Sequence, residues 1–163
     1  MSRTATTGLA LAGALLLIGP GAATADDAMG VLTVPDNSKL DWQPAPPTLP
    51  HTMSLVVLAG DPSKPGPFVL RVLMPPNTVI APHTHKTAEN LTVISGDFYH
   101  AHGDKVDKSQ GTEVHTGGFV YLPAMHAHYL WTTTEPAVLQ VTGTGPFGVD
   151  YINPADDPSK PHG

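Results

Sequence analysis

The sequence predicts an all-β protein: one closed antiparallel barrel, preceded by a targeting segment and a proline-rich arm. Three observations carry that expectation. There are 16 Gly and 18 Pro among 163 residues, far more breakers than helices tolerate. Charged residues are only 13%, so the salt-bridged polar faces of surface helices are missing. Short apolar runs alternate with Gly- or Pro-bearing turns, and no helical period lasts beyond a turn or two.

The elements follow in chain order. Arg3 is the only charge before Asp26, an apolar run covers Gly8–Ile18, Gly19-Pro20-Gly21 breaks it, and Ala23-Thr24-Ala25 offers a cleavage site. These are the parts of a secretory signal, so residues 1–25 are expected to be removed and the protein to be exported, to the periplasm or outside the cell. The apolar run is too short to anchor in a membrane: eleven helical residues span about 16 Å, against about 30 Å of hydrocarbon. Residues 26–51 read as an extended arm, because Pro35, Pro44, Pro46, Pro47 and Pro50 forbid regular helix, with Trp42 as its anchor on the body. The barrel is expected over 52–152. Its strands are Met53–Leu58, Phe68–Met74, Thr78–His85, Glu89–Ser95, Phe98–Ala101, Glu113–His115, Phe119–Leu122, His128–Thr133, Val138–Thr142 and Val149–Ile152. Residues 153–163 form a solvated tail.

Composition narrows the function. The net charge of −6 gives no basic face for nucleic acid. The absence of cysteine removes disulfides, thiolate zinc sites, iron–sulfur clusters and cysteine nucleophiles. Gly143–Gly148 is glycine-rich, but it lacks the lysine of a phosphate loop and no helical pattern follows it. Nine histidines in a chain of this size make metal chemistry the first thing to test.

Within Pro82-His83-Thr84-His85-Lys86-Thr87-Ala88-Glu89, strand alternation points His83 and His85 the same way. A tight turn follows, and Glu89 opens the next strand, which Gly96 closes. Two imidazoles and a carboxylate can therefore converge, and His126-Ala127-His128 offers a further ligand. His126 is expected at the barrel mouth, Met125 as packing near the site, and His100 and His102 at the surface or rim. His51, His115 and His162 carry no signal.

The spacing His83-x-His85-x3-Glu89-x6-Gly96 resembles the first motif of the cupin superfamily, except that its opening glycine falls on Asn77. The second motif is matched by Gly117, Pro123 and His128, while Met125 stands in place of its inner glycine and Thr132 in place of its asparagine. The resemblance implies a cupin-type jelly-roll barrel with metal ligands at His83, His85, Glu89 and His128. It also implies a homodimer paired through sheet edges, in which the arm crosses between subunits or wraps one barrel.

Three imidazoles and one carboxylate suit a divalent transition metal: Fe, Mn, Ni, Cu, Co or Zn. Loading after export would favour Cu, Ni or Zn, the tighter binders of that series. On the strand of His128, Leu130 and Thr132 share the metal-facing side, whereas Tyr129 and Trp131 point away. The expected function is an exported metal-dependent enzyme of dioxygenase or oxidoreductase type. A small-molecule substrate would be chelated at a 3-His-1-Glu site, and Glu89 would serve as ligand and proton acceptor. A decarboxylase or isomerase could use the same site. The alternative is a non-catalytic module that binds a metal ion or a small anion. No nucleic acid partner and, after cleavage, no membrane association are expected.

Overall fold

A computed structural model describes residues 30–160. The chain divides into two compact units, Met1–Lys39 and Leu40–Gly163. The described part of the first holds one 3-10 turn, Asn37–Lys39, which Asp36 caps by accepting hydrogen bonds from the Ser38 amide at 2.7 Å and hydroxyl at 2.5 Å. The expected targeting segment, residues 1–25, lies outside the described residues. Export to the periplasm or beyond rested on that segment alone and gains no support from the fold.

The second unit is all-β. Its strands are β1 (Gln43–Pro44), β2 (Ser54–Ala59), β3 (Gly66–Met74), β4 (Val79–Thr84), β5 (Glu89–Ser95), β6 (Asp97–His102), β7 (Thr112–His115), β8 (Phe119–Leu122), β9 (His128–Trp131), β10 (Ala137–Gly145) and β11 (Asp150–Tyr151). Every run expected from the sequence coincides with a strand, within a few residues at the ends. β1 was not expected, because a two-residue strand containing Pro44 leaves no alternation to read.

The strands form two antiparallel sheets. One has the order β1-β2-β3-β10-β5-β8 and the other β11-β4-β9-β6-β7. This corrects the expected closed barrel and jelly roll: among the described residues no ladder joins the sheets, so the cylinder stays open. The edges explain why. On one side stand β1 and β11, two residues each, and Pro44 has no amide hydrogen to give. On the other side β7 pairs only with β6 and β8 only with β5, although they follow one another in sequence.

The core lies between the sheets. Phe68, Leu70, Val72 and Met74 alternate into it from β3, Leu91 and Val93 from β5, and Leu139 and Val141 from β10. Ile80, Phe98 and Leu130 meet them from the other sheet. Each such side chain contributes about 1.5–3 kcal/mol by leaving water, so the packed interface holds the open sheets together. The turn between β5 and β6 requires Gly96: its φ is +74°, and a Cβ there would collide with the Pro136 carbonyl.

Residues 43–49 of the arm pack on the sheet of their own chain. β1 pairs with β2, the Ala45 amide donates to the Met53 carbonyl at 3.0 Å, and the Tyr151 hydroxyl donates to the Thr48 carbonyl at 2.8 Å. Ala45 and Leu49 pack on the core, so they anchor the arm, while Trp42 is only half-buried. Tyr129 and Trp131 do point away from the inter-sheet core, and with Ala101 they form a second buried cluster. Residues 103–111 cover that cluster. The Tyr129 hydroxyl exchanges 2.9 Å hydrogen bonds with the backbone of Asp107, and Gly111 lies against the Trp131 ring.

Candidate metal centre

The centre is built from both sheets. β4 and β9 are neighbours, and Ile80 pairs with Leu130. The ladder then slips by one residue, so that His83, not Pro82, stands opposite His128. The slip matters because Ile80 and His83 are three residues apart, yet both line the same cavity. Strict alternation would have put them on opposite faces. His85 lies one residue past the end of β4, where its carbonyl accepts the Met125 amide at 2.8 Å. Glu89 is the first residue of β5 and reaches in from the other sheet.

His83, His85, Glu89 and His128 are all buried, with exposures of 2%, 5%, 5% and 0%. Ring centroids are 4.8 Å apart for His83–His85, 4.2 Å for His83–His128 and 5.2 Å for His85–His128. One ring nitrogen from each of the three lies within 4.8 Å of the others. The Glu89 carboxylate stands at the side of this trio, its Oε2 3.4 Å from His85 Nε2 and 3.6 Å from His128 Nε2.

The orientation of the rings is fixed from behind. Nδ1 of His83 meets the Ala81 carbonyl at 2.8 Å, that of His85 the Gly148 carbonyl at 2.6 Å, and that of His128 the His126 carbonyl at 3.2 Å. A carbonyl can only accept, so each Nδ1 carries the proton and each Nε2 presents its lone pair. Nε2 of His85 and of His128 is buried without a hydrogen-bond partner. Two orphaned imidazole lone pairs beside a buried carboxylate are costly when empty-handed and suited to a cation, so the donor set fits a divalent transition ion.

For His83 and His128 the electrostatics agree with neutral ligands. Burial pushes His83 well below the usual imidazole range, and His128 and His85 beside it push the same way. Burial also lowers His128, to about 4. For His85 burial acts downward too, but the Glu89 carboxylate, the Gly148 carbonyl and Asp150 outweigh it, and its pKa is raised.

A cavity of about 370 Å³ lies between the sheets and reaches His83, His85 and Glu89. Its polar groups are His83, His85, Glu89 and Thr48; the other walls are aliphatic or aromatic, among them Leu70, Val72, Leu130 and Leu139. Leu130 thus faces the cavity, as its place two residues after His128 implies. Thr132 is buried at 1% and does different work. Its hydroxyl donates to the Pro75 carbonyl at 2.5 Å and accepts the Thr78 amide at 3.0 Å, tying the end of β9 to the β3–β4 turn. Thr132→Val strands the buried Thr78 amide and should destabilise the protein by about 1–3 kcal/mol, read as a lower urea midpoint at constant slope.

Two sequence expectations need correction, and one feature was missed. His100 is not at the rim: it is buried at 5%, because β6 lies between β9 and β7 and its inner face is covered. Burial brings its pKa down to about 4, with His102 and His126 adding to the effect. Its place two residues after the core residue Phe98 was the signal for this. Met125 does not pack near the site; its side chain is 63% exposed. Its backbone has φ +61°, and that of Asn77 has φ +57°. The two positions where the chain lacks a motif glycine are therefore both left-handed. Asn tolerates this conformation, whereas Met pays about 1–2 kcal/mol in steric strain. Met125→Gly should raise stability by about 0.5–1 kcal/mol, after the entropy that glycine loses, and Tm by about 2–4 °C in a thermal scan. The sequence also gave no sign that Phe147 stacks on His85, with centroids 4.4 Å apart and planes at 16°. Phe147 and Gly148 together clamp that ring.

Residues 32–148 match the family model of the ChrR cupin-like domain. The chain belongs to this family. It is thereby a member of the cupin superfamily, as its two motifs implied. No curated protein matches it in sequence. Among solved structures, it is similar to the polyketide cyclase RemF from Streptomyces resistomycificus, with a TM-score of 0.65 at 15% identity over 79% of this chain and 91% of that one. It is also similar to KdgF from Halomonas sp., with a TM-score of 0.51 at 16% identity over 67% of this chain and 89% of that one. At such identities the likeness is one of fold. What this cupin-like domain holds is a cupin fold and a His/Glu cluster suited to a metal ion or ligand.

Proposed function

We propose that this cupin-like domain is a metal-dependent enzyme of the dioxygenase or oxidoreductase type, acting on a small, largely apolar molecule that carries an enol or diol. The observation that supports it is the convergence of three imidazoles beside Glu89, two of which, with the carboxylate, line an aliphatic cavity. His83, His85 and His128 would hold the ion, with Glu89 as fourth ligand. A bound Fe, Mn, Ni, Cu, Co or Zn ion would supply Lewis acidity and positions open to substrate oxygens.

The chain's own residues account for the rest. The walls from β3, β9 and β10 take up the apolar body of the substrate and exclude water. The Ala81, Gly148 and His126 carbonyls keep the three Nδ1 protonated, so the rings cannot turn. Glu89, whose Oε2 lies within 3.6 Å of two ligand nitrogens, is placed to accept the enol or diol proton as the substrate binds. A divalent ion and one carboxylate leave a local charge of about +1, which favours the anionic form of that substrate.

One observation favours a second reading, a non-catalytic binding module. Beyond the two histidines and Glu89, the cavity walls carry no acid or base. Oxygen uptake separates the two. The metal-loaded full chain, offered a panel of small enols and diols, should consume oxygen and lose that activity in Glu89→Gln. Calorimetric binding of the same compounds with no uptake and no product would support the module. Neither binding nor turnover, with or without metal, would rule out both.

A further inference from the structure

A second group of imidazoles stands behind the trio. His100 and His102 lie two residues apart on one face of β6, and the loop before β9 brings His126 to them. Nδ1 of His102 and Nε2 of His126 are 3.0 Å apart and share a hydrogen bond, one donating and the other accepting, with the ring planes at 83°. An ion would take the place of the shared proton once the donor ring adopts its other tautomer. Both side chains are exposed. Their backbones are held rigidly. His102 faces His128 in the β6–β9 ladder, the Gly103 amide donates to the Ala127 carbonyl at 3.1 Å, and the His126 amide donates to the Pro123 carbonyl at 3.3 Å. Directly behind them His100 is buried, its ring centroid 4.9 Å from His102 and 5.4 Å from His128, and its Nε2 has no hydrogen-bond partner.

We propose that His102 and His126 form a second, solvent-facing site for a divalent transition ion, with His100 as the imidazole that backs it. Two nitrogens each about 2.1 Å from one ion and at right angles to it stand about 3 Å apart, the separation seen for this pair. Paired imidazoles select Cu, Ni or Zn over the oxygen-seeking Ca, Mg and Mn. The pair is presented by a strand end and a loop clamped to each other, so little ordering is lost when an ion binds. The ring of His100, 4.9 Å from that of His102, closes the pair off from behind, and its Nε2 is itself buried without a partner. The site is separate from the trio and does not depend on the reaction proposed for it. His128 nevertheless touches both groups, so an ion at the outer site would sit one ring away from the inner one.

The test is a nickel titration of the full chain after chelator treatment, at mildly alkaline pH, followed by calorimetry. The wild type should bind two equivalents of unequal affinity. His102→Ala or His126→Ala should weaken the looser one by about tenfold or more, and the double variant should abolish it while leaving the tighter one intact. Both substitutions are on the surface, so the fold is not at risk, and circular dichroism checks this. His115→Ala is the control. It breaks the other cluster among the described residues, Asp97–Glu113–His115, which is largely exposed, and it should leave both equivalents in place. Binding unchanged in the double variant would overturn the proposal, as would loss of the looser equivalent in His115→Ala. A wild type with a single equivalent that disappears in the double variant would support this site and count against the trio.

Discussion

His128→Ala should lower the affinity of this cupin-like domain for a divalent transition ion at least about a hundredfold, since removing even a partner one step outside a metal's ligands costs about 10–100-fold. His128 is the centre of the group. It is fully buried, its ring centroid is 4.2 Å from that of His83, and its unpartnered Nε2 is 3.6 Å from the Glu89 carboxylate. Alanine leaves two imidazoles and a carboxylate around a hole, and no neighbouring donor of the trio can swing in, because each is fastened by its Nδ1. His83→Ala and His85→Ala should behave alike. Glu89→Gln keeps the shape and removes the charge, so its loss should be smaller, about tenfold. Calorimetry on metal-stripped protein measures all four, with the exposed His51→Ala as reference. Undiminished affinity in His128→Ala would mean that the trio is not the ion's seat.

Metal-free protein should lose stability as the pH falls from about 6.5 towards 4. Burial is the main reason why His100 and His128 have pKa values of about 4, and why His83 lies well below the usual range, against 6.5 for an open imidazole. Below pH 6.5 the unfolded chain therefore binds protons that the folded chain refuses, so stability rises with pH through this window and is lost on acidification. His85 has the opposite sign: its raised pKa contributes stability below 6.5 that fades as the pH rises through the folded value. Three groups oppose one, so the net effect is a loss of stability on acidification. The depressed carboxylates Asp36, Asp61, Asp107 and Asp157 act mainly below the ordinary aspartate value of 3.8, outside the window. Urea midpoints at a series of pH values measure the effect. His100→Leu should flatten the slope, because it removes one of the three groups. A midpoint that stayed level or rose on acidification would contradict the burial of these rings as neutral bases. Saturating metal should steepen the dependence, because protons and the ion compete for the same nitrogens.

Much of this was legible before any coordinates. The strands could be read from runs such as Phe68–Met74, where every second side chain enters the core. The four site residues could be read because His-x-His with a carboxylate four residues on, and a distant histidine after a proline, is a rare combination. β1 escaped because two residues have no period. The burial of His100 is hard to read because it shares a face with His102 and adjoins the turn at Gly103-Asp104, which points to the rim, although Phe98 marks the inner face.

The amino-acid sequence by itself determined the all-β character, the strand positions and the identity of the residues that could hold a cation, since these depend on side-chain chemistry and local spacing. Three matters were decided only in the tertiary structure: that the sheets stay open at both sides, that the β4–β9 ladder slips by one residue to put His83 opposite His128, and that Gly148 and Phe147 brace His85 from 62 or more residues away. The physical reason is common to all three. Edge pairing, register and ring orientation are set by contacts between segments distant in the chain, and alternation along one strand records which face is buried but not what lies across from it.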